Sequence, residues 1–481
     1  PTTHLIRMLF DGLIRRDEEG NAALSIAEKY TVSEDFKTYT FHLKKTFWSD
    51  GTPLTADDFE YAWRKCLDPK TVSHGAQNFY FIKNAERAVQ GECPVSEVGI
   101  KALDPYTFQF ELEFAVPYLI DILDSTFFYP IPKHLDQKGP GWIYQVGRPF
   151  VSNGPFKLKE WKQAESVTVE KNPSYWDRKH VRLQEIRIGL LEDGMTQLYM
   201  YEKDQLDWIG NPISFPPPEA LDILKKKETY SYVTSPEVTW FFLNSETFPF
   251  SNKKMRQAFS YAIDRNAIVD HILTGNALPA YGIIAPCFGL EQPDWFEDRQ
   301  LDEAKRLFDE ALTEEGLTLQ TFPGVTLKSP ADSKTANRIS QVVQQIWEKT
   351  FGIDVALSQS DWPVHFTALQ NGDYQIGIMG WVPYMQDPIY MLQTFKHKGD
   401  KVNMSNWESQ KYLDLIVASD HEMDPEKRRL LLIAAEKVLM DEMPIIPIYY
   451  SGIKFSKKPE LKGVILPPTG AIDFKFASFS Q

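Results

Sequence analysis

Along residues 374–388 the hydrophobic positions come almost without polar interruption. Tyr374, Ile376 and Ile378 fall on one side of an extended segment, Gly377 and Met379 on the other. Apolar or small residues on both faces predict a strand buried on both sides, as in a parallel sheet. The run continues into Gly380-Trp381 and a loop stiffened by Pro383 and Pro388. A buried strand of this kind carries backbone and an indole to a sheet edge, where open α/β sheets bind ligands. The structural alternative is a core tryptophan at a strand end.

Elsewhere the two periodicities alternate. Leu5 to Leu13 reads as a helical run, and Tyr39 to Leu43 alternates as a strand. Thr55 and Asp58 form a capping-box pattern before Phe59, Ala62, Trp63 and Cys66, which share one helical face. Phe108, Phe110 and Leu112 alternate, as do Val167 and Val169. Three helical stripes follow: Met255 to Ile263, Ala304 to Ala311, and Ala336 to Trp347, the last leading to a strand through Ile353, Val355 and Leu357. Asp424-Pro425 opens a further helix, and the chain returns through Ile445 to Tyr450. Strands and helices mixed along the chain without a repeat period predict an α/β fold.

At 481 residues the chain exceeds one core, and about three domains are expected. A net charge of −14 with no basic tract argues against nucleic acid, and against an anionic membrane as the main partner. The 12 Trp, 21 Tyr and 31 Phe suit a protein that lines a cleft with rings. Cys66, Cys93 and Cys287 show no metal spacing; Cys66 and Cys93 pair in one reading, and all three are free, buried thiols in the other. Pro1 is not a translation start, so a processed or trimmed chain is expected.

The run from Tyr39 to Lys65, with Trp48, Ser49, Asp50, Gly51, Pro53, Thr55, Ala56, Asp58 and Phe59, resembles the signature of the extracytoplasmic oligopeptide- and dipeptide-binding proteins of ABC importers. Its content is a tight turn, a proline lead-in and a capped helix, which makes it scaffold. Leu103 to Phe108, Asn153-Gly154-Pro155-Phe156, Asn172 to Trp176 and the helix ending in Asp264-Arg265 resemble further motifs of the same family. The resemblance implies a two-lobed periplasmic-binding-protein fold with two crossovers. Lobe one would be 1–240 plus 452–481, with an inserted subdomain at about 32–152. Lobe two would be 245–448, with crossovers near 240–244 and 448–451 and the ligand held between the lobes.

No enzyme signature is present: there is no GxSxG, P-loop, GxGxxG or HExxH, and the nine histidines are scattered. Asp57-Asp58 lies in the first turn of a capped helix, where carboxylates favour the helix dipole. No cofactor, metal or catalytic residue is expected. The resemblance implies a short peptide as ligand, an ABC-importer permease as partner, a monomer, and a periplasmic or extracytoplasmic location with a lipid anchor as an option. It assigns the peptide-pairing backbone to Thr239–Asn244, including Phe242 and Asn244, and to the Tyr449-Tyr450 segment. It assigns side-chain pockets to Trp362 and Trp381, beside Gly380, and another cleft wall to Asn211.

The departures carry as much as the matches. Many members of that family place an aspartate three residues after the tryptophan of the Gly-Trp pair to hold the peptide amine; Asp387-Pro388 sets the alignment, and Tyr384 stands there instead. The family's tri- and tetrapeptide binders place basic residues at three positions that handle the carboxylate, and Ala336, Leu369 and Ile378 stand there here. Recognition of the termini is therefore expected to be atypical, with Asp387 as the first alternative for the amine. Three other readings stay open. One is the same fold holding a non-standard ligand, such as glutathione, a sugar, a metal chelate or a tetrapyrrole. The second is a periplasmic chaperone or adhesin, and the third is an extracellular hydrolase.

Overall fold

The capped helix expected after Trp48 forms at Ala56–Leu67, because Asp58 closes its first turn. The Thr55 N–H donates to Asp58 Oδ2 at 2.9 Å, and Asp58 Oδ1 accepts the Lys133 N–H at 3.1 Å. This is a computed structural model, and it describes residues 2–71, 73, 75–139, 141–144, 150–214, 221, 223–227, 229–290, 293–383, 385 and 387–480. It divides into two compact units, Pro1–Ser231 with Lys454–Gln481, and Tyr232–Ile453.

In the first unit the helix at Ala56–Leu67 packs on a four-stranded antiparallel sheet, in the order Ala27–Val32, Thr38–Leu43, Thr107–Glu111, Ile100–Asp104. The alternation read from sequence places Tyr39, Phe41, Phe108 and Phe110 inside. Trp63 meets Phe108 and Phe110 with ring centroids at 5.0 and 5.2 Å. The helical run expected from Leu5 to Leu13 stops at Leu9. Asn153 explains the stop: its Oδ1 accepts the Asp11 N–H at 3.1 Å and its Nδ2 donates to the Asp11 carbonyl at 2.9 Å. The chain then enters a strand at Ile14–Arg16. Gly154 permits this contact, since a Cβ there would meet the Leu9 carbonyl carbon at 2.6 Å. The three cysteines are free and half-buried, so Cys66 and Cys93 do not pair.

The second unit is built on strands β1 (Tyr230–Leu243), β2 (Val325–Pro330), β3 (Val355–Ser360), β4 (Ile376–Trp381) and β5 (Ile445–Lys457). Their order in the sheet is β5-β1-β4-β2-β3. β4 is buried on both faces over Ile376–Met379, as its composition predicts. Its neighbours differ from a purely parallel sheet: it runs parallel to β2 but antiparallel to β1. The chain changes unit inside β1 and inside β5. Residues 240–244 and 448–451, expected at the crossovers, lie within the second unit, where Trp240 to Leu243 are fully buried.

Helices α1 (Lys253–Tyr261), α2 (Leu301–Glu314) and α3 (Lys334–Phe351) supply the three apolar stripes. Phe259, Phe308, Trp347 and Phe351 meet in one core with Leu327 and Ile376 of the sheet. Each such buried side chain contributes about 1.5–3 kcal/mol of transfer free energy. The indole of Trp347 is satisfied, donating to the Phe259 carbonyl at 2.8 Å. Two further helices, α4 (Trp362–Gln370) and α5 (Pro425–Glu442), complete the parts used below.

Candidate functional site

Because β2, β3 and β4 run the same way, their carboxyl ends share one sheet edge. β2 ends at Pro330, and Ser333 turns the chain into α3, its Oγ accepting the Ala336 N–H at 3.3 Å. β3 ends at Ser360 and passes through Asp361 into α4, whose first residue is Trp362. Two helices starting beside a third strand end leave a recess, the usual place for a ligand in an open α/β sheet.

The recess has a volume of about 400 Å³. β1 contributes Glu237 and Thr239, and β4 contributes Ile378, Met379 and Gly380. The turn before α3 and the helix itself contribute Pro330, Asp332, Ser333, Thr335, Ala336 and Ile339; Trp362 and Tyr449 complete the wall. Such a volume lies at the small end for a ligand pocket. Trp362 is 42% exposed, an unusual state for a tryptophan that has a core to join. Burial pushes the Tyr449 hydroxyl above its ordinary pKa, and Glu237 adds to that rise. One turn into α4, His365 is buried, and its Nε2 lies 2.9 Å from the Ile378 carbonyl. A carbonyl only accepts, so Nε2 carries the hydrogen; burial lowers the imidazole's pKa and favours the neutral ring.

The residues expected at the site separate into groups. Trp362, Gly380 and Tyr449 meet at the recess. Trp381 does not line it. The β1–β4 register sets Trp381 opposite Val238 and Gly380 opposite Thr239, so the indole takes the sheet face of Trp240 and stacks on it at 6.2 Å. Phe242 is a core residue, 5.6 Å from Trp240 and 6.5 Å from Phe395. Asn244 is a structural clamp, its Nδ2 donating to the carbonyls of Gly372 at 2.9 Å and Tyr374 at 3.1 Å. Asn211 belongs to the first unit, where its N–H donates to the Lys454 carbonyl at 2.8 Å.

Asp387 is not an open carboxylate. Arg428 donates to both its oxygens, at 2.9 and 2.7 Å, and Oδ1 also accepts the Ile389 N–H at 2.9 Å. In this structure it anchors the loop after β4 to α5. Tyr384 lies outside the described residues. Of the positions where the resemblance leads one to expect basic residues, Ala336 and Ile378 line the recess, and Leu369 is a core residue packed under Gly377.

Sequence reasoning missed Glu237, Asp332 and Thr335, and expected Thr239 only as part of a peptide-pairing backbone. Glu237 was detectable by period-two alternation from Thr239, on a strand already expected to border the ligand. Asp332 follows a parallel strand and precedes a helix, and its place at the wall depends on the neighbouring strand. Among the described residues no three His, Cys, Asp or Glu side chains are grouped to hold a metal ion. No helix among them is long and apolar enough to cross a membrane.

The sequence model described as bacterial extracellular solute-binding proteins, family 5 middle, matches residues 22–403. The chain belongs to family 5 of the bacterial extracellular solute-binding proteins. Within family 5 it is 37% identical over 480 residues to the oligopeptide-binding protein OppA of Bacillus subtilis, covering 99% of this chain and 88% of that protein. It is 31% identical over 479 residues to the dipeptide-binding protein DppE of the same organism, with 98% and 86% coverage. Among solved structures, the periplasmic murein tripeptide-binding protein MppA in its unliganded open form matches with a TM-score of 0.85 at 26% identity, covering 98% of this chain and 91% of that one. The OppA of Haemophilus influenzae in complex with the peptide RPPGFSPFR matches with a TM-score of 0.76 at 25% identity, with 99% and 94% coverage. The family 5 fold is thus the mixed α/β fold of periplasmic-binding-protein type. These relatives are binding proteins.

Proposed function

We propose that this protein is the substrate-binding subunit of an ABC importer that captures short peptides outside the cytoplasm and hands them to a membrane permease. It works as a monomer, without catalysis. The observation that carries this reading is the recess at the carboxyl edge of β2, β3 and β4, walled by an exposed Trp362, in a chain 37% identical over 480 residues to an oligopeptide-binding protein. Peptide termini are held in an atypical way. Asp387 is engaged by Arg428, and Ala336 and Ile378 bring no charge to the wall.

Native mass spectrometry of the purified protein tests the reading. A heterogeneous set of peptide masses released from the protein supports it; one single mass points to a dedicated non-standard ligand. A bound peptide at a hundredfold excess over its Kd raises the unfolding free energy by about 2.7 kcal/mol, which a thermal melt reads as a higher Tm. Peptide mixtures of two to five residues that leave the Tm unmoved sink the proposal.

A further inference from the structure

β4 and β2 pair only along the start of β4. Their ladder sets Leu327 opposite Ile376 and Lys328 opposite Gly377, whereas β2 goes on pairing with β3 as far as Pro330 opposite Ser360. Pro330 has no N–H with which β2 could carry the ladder to β4 further. The recess opens at this point, with Pro330 in its wall from one strand and Ile378 and Met379 from the other. Buried backbone carbonyls are almost always given a donor. At Ile378 a side chain supplies one: His365, buried on α4, which packs against β2 and β3, donates its Nε2–H to the Ile378 carbonyl at 2.9 Å. Nδ1 of the same ring is buried and has no hydrogen-bond partner among the described residues, so the Ile378 carbonyl is the one polar contact that orients the imidazole there. The ring also lies 6.0 Å from the indole of Trp362, one turn earlier on α4. His365 thus backs two parts of the recess wall without being among the described residues that line it.

Resting on the peptide-binding reading above, we infer that His365 is a positioning residue for the ligand: its Nε2–H holds the Ile378 carbonyl where β4 parts from β2, and so keeps the recess in the shape that admits a peptide. It acts through Ile378 and Trp362 and touches no ligand itself. Without that N–H the carbonyl is left short of a donor in a buried place, and the wall shifts to find another partner or water.

The experiment uses the whole protein, urea melts, and calorimetric titration with the peptide of two to five residues that the wild type binds most tightly. His365→Leu removes the donor, His365→Asn carries an amide too short to reach Ile378, and His365→Gln returns an N–H near the place of Nε2. Leu312→Ala, in the core on α2, serves as a destabilised control outside the recess wall. We expect His365→Leu and His365→Asn to weaken binding by about tenfold or more, the size of one buried carbonyl left unpaired. His365→Gln stays within a few fold of the wild type. Leu312→Ala lowers the urea midpoint and keeps its affinity within a few fold. A folded His365→Leu or His365→Asn protein with wild-type affinity overturns the inference. So does His365→Gln losing as much affinity as they do, because the donor is then not what matters. An equal loss in Leu312→Ala, or failure of both His365→Leu and His365→Asn to fold, makes the effect one of stability and overturns it too. All of these leave the peptide reading standing, whereas wild-type protein that binds no such peptide overturns both.

Discussion

Arg428 and Asp387 face each other in a two-point ion pair, Nη1 to Oδ2 at 2.9 Å and Nη2 to Oδ1 at 2.7 Å, with both side chains nearly buried. The pair joins α5 to the loop that follows β4. Removing one partner leaves a buried charge uncompensated, which costs about 3–5 kcal/mol. Asp387→Asn and Arg428→Met are therefore expected to lower the urea midpoint strongly. Peptide affinity, measured where the variants remain folded, should stay within a few fold. A specific affinity loss in a stable Asp387→Asn protein would return Asp387 to the ligand.

The two tryptophans are expected to fail differently. Trp362 stands in the recess wall and is 42% exposed. Trp362→Ala should weaken peptide binding by more than about 1 kcal/mol, as loss of an aromatic anchor does, with little change in Tm. Trp381 stacks on Trp240 at an interplanar angle of 25°. Trp381→Ala should lose about 0.5–1.5 kcal/mol of stability from that stack beyond area terms. Binding titrations and urea melts on both variants separate the cases; equal binding losses without a stability change would place Trp381 at the ligand.

Glu436 on α5 is fully buried, and its Oε1 accepts the N–H groups of Ile283 at 2.7 Å and Ile284 at 2.8 Å. Burial raises its pKa to about 7, against the lowering effect of those hydrogen bonds. A carboxyl whose folded pKa lies above its unfolded value binds protons more tightly when folded. Its contribution is complete below about pH 4.5 and is lost as pH rises through about 7. The loss amounts to about 3 kcal/mol at most. Glu436→Gln keeps an acceptor oxygen and does not ionise. Urea unfolding at pH 5 and pH 8 should show the wild type losing stability relative to the variant as pH rises; parallel curves would contradict the assignment.

Gly377 has no room for a side chain, since a Cβ there would clash with Leu369 Cδ2 in the core. Gly377→Ala should cost about 1–3 kcal/mol by overpacking. Leu369→Ala alone should cost about 2–5 kcal/mol by leaving a cavity. Because the first change fills space that the second vacates, the double variant should be more stable than the sum of the two losses predicts. Strict additivity in urea melts would show that the two positions do not share that space.

The elements that the sequence made legible are those governed by local rules. The capping box at Thr55 and Asp58, the stripe through Ala336, Ile339, Val343 and Trp347, and the two-faced burial of Ile376 to Met379 all follow from periodicity and capping within a few residues. The helical run that ends at Leu9 shows the limit. Asn153, far along the chain, takes both backbone groups of Asp11, and no pattern near Leu9 announces it.

The site was legible in part for the same reason. Trp362, Gly380 and Tyr449 meet at the recess, each at or near a strand end. Which face Trp381 takes depends on the register of β4 against β1, and a strand's own alternation does not choose between core and ligand. Whether Asp387 is free depends on Arg428, supplied by a helix forty-one positions away. The sequence by itself determined element types, caps, the acidic charge and membership in family 5, because these depend on residues close in the chain or on the whole composition. Tertiary structure alone decided that Asp387 is held by Arg428 and which side chains meet at the recess, because an ion pair needs two side chains within about 4 Å, and that distance is set by packing.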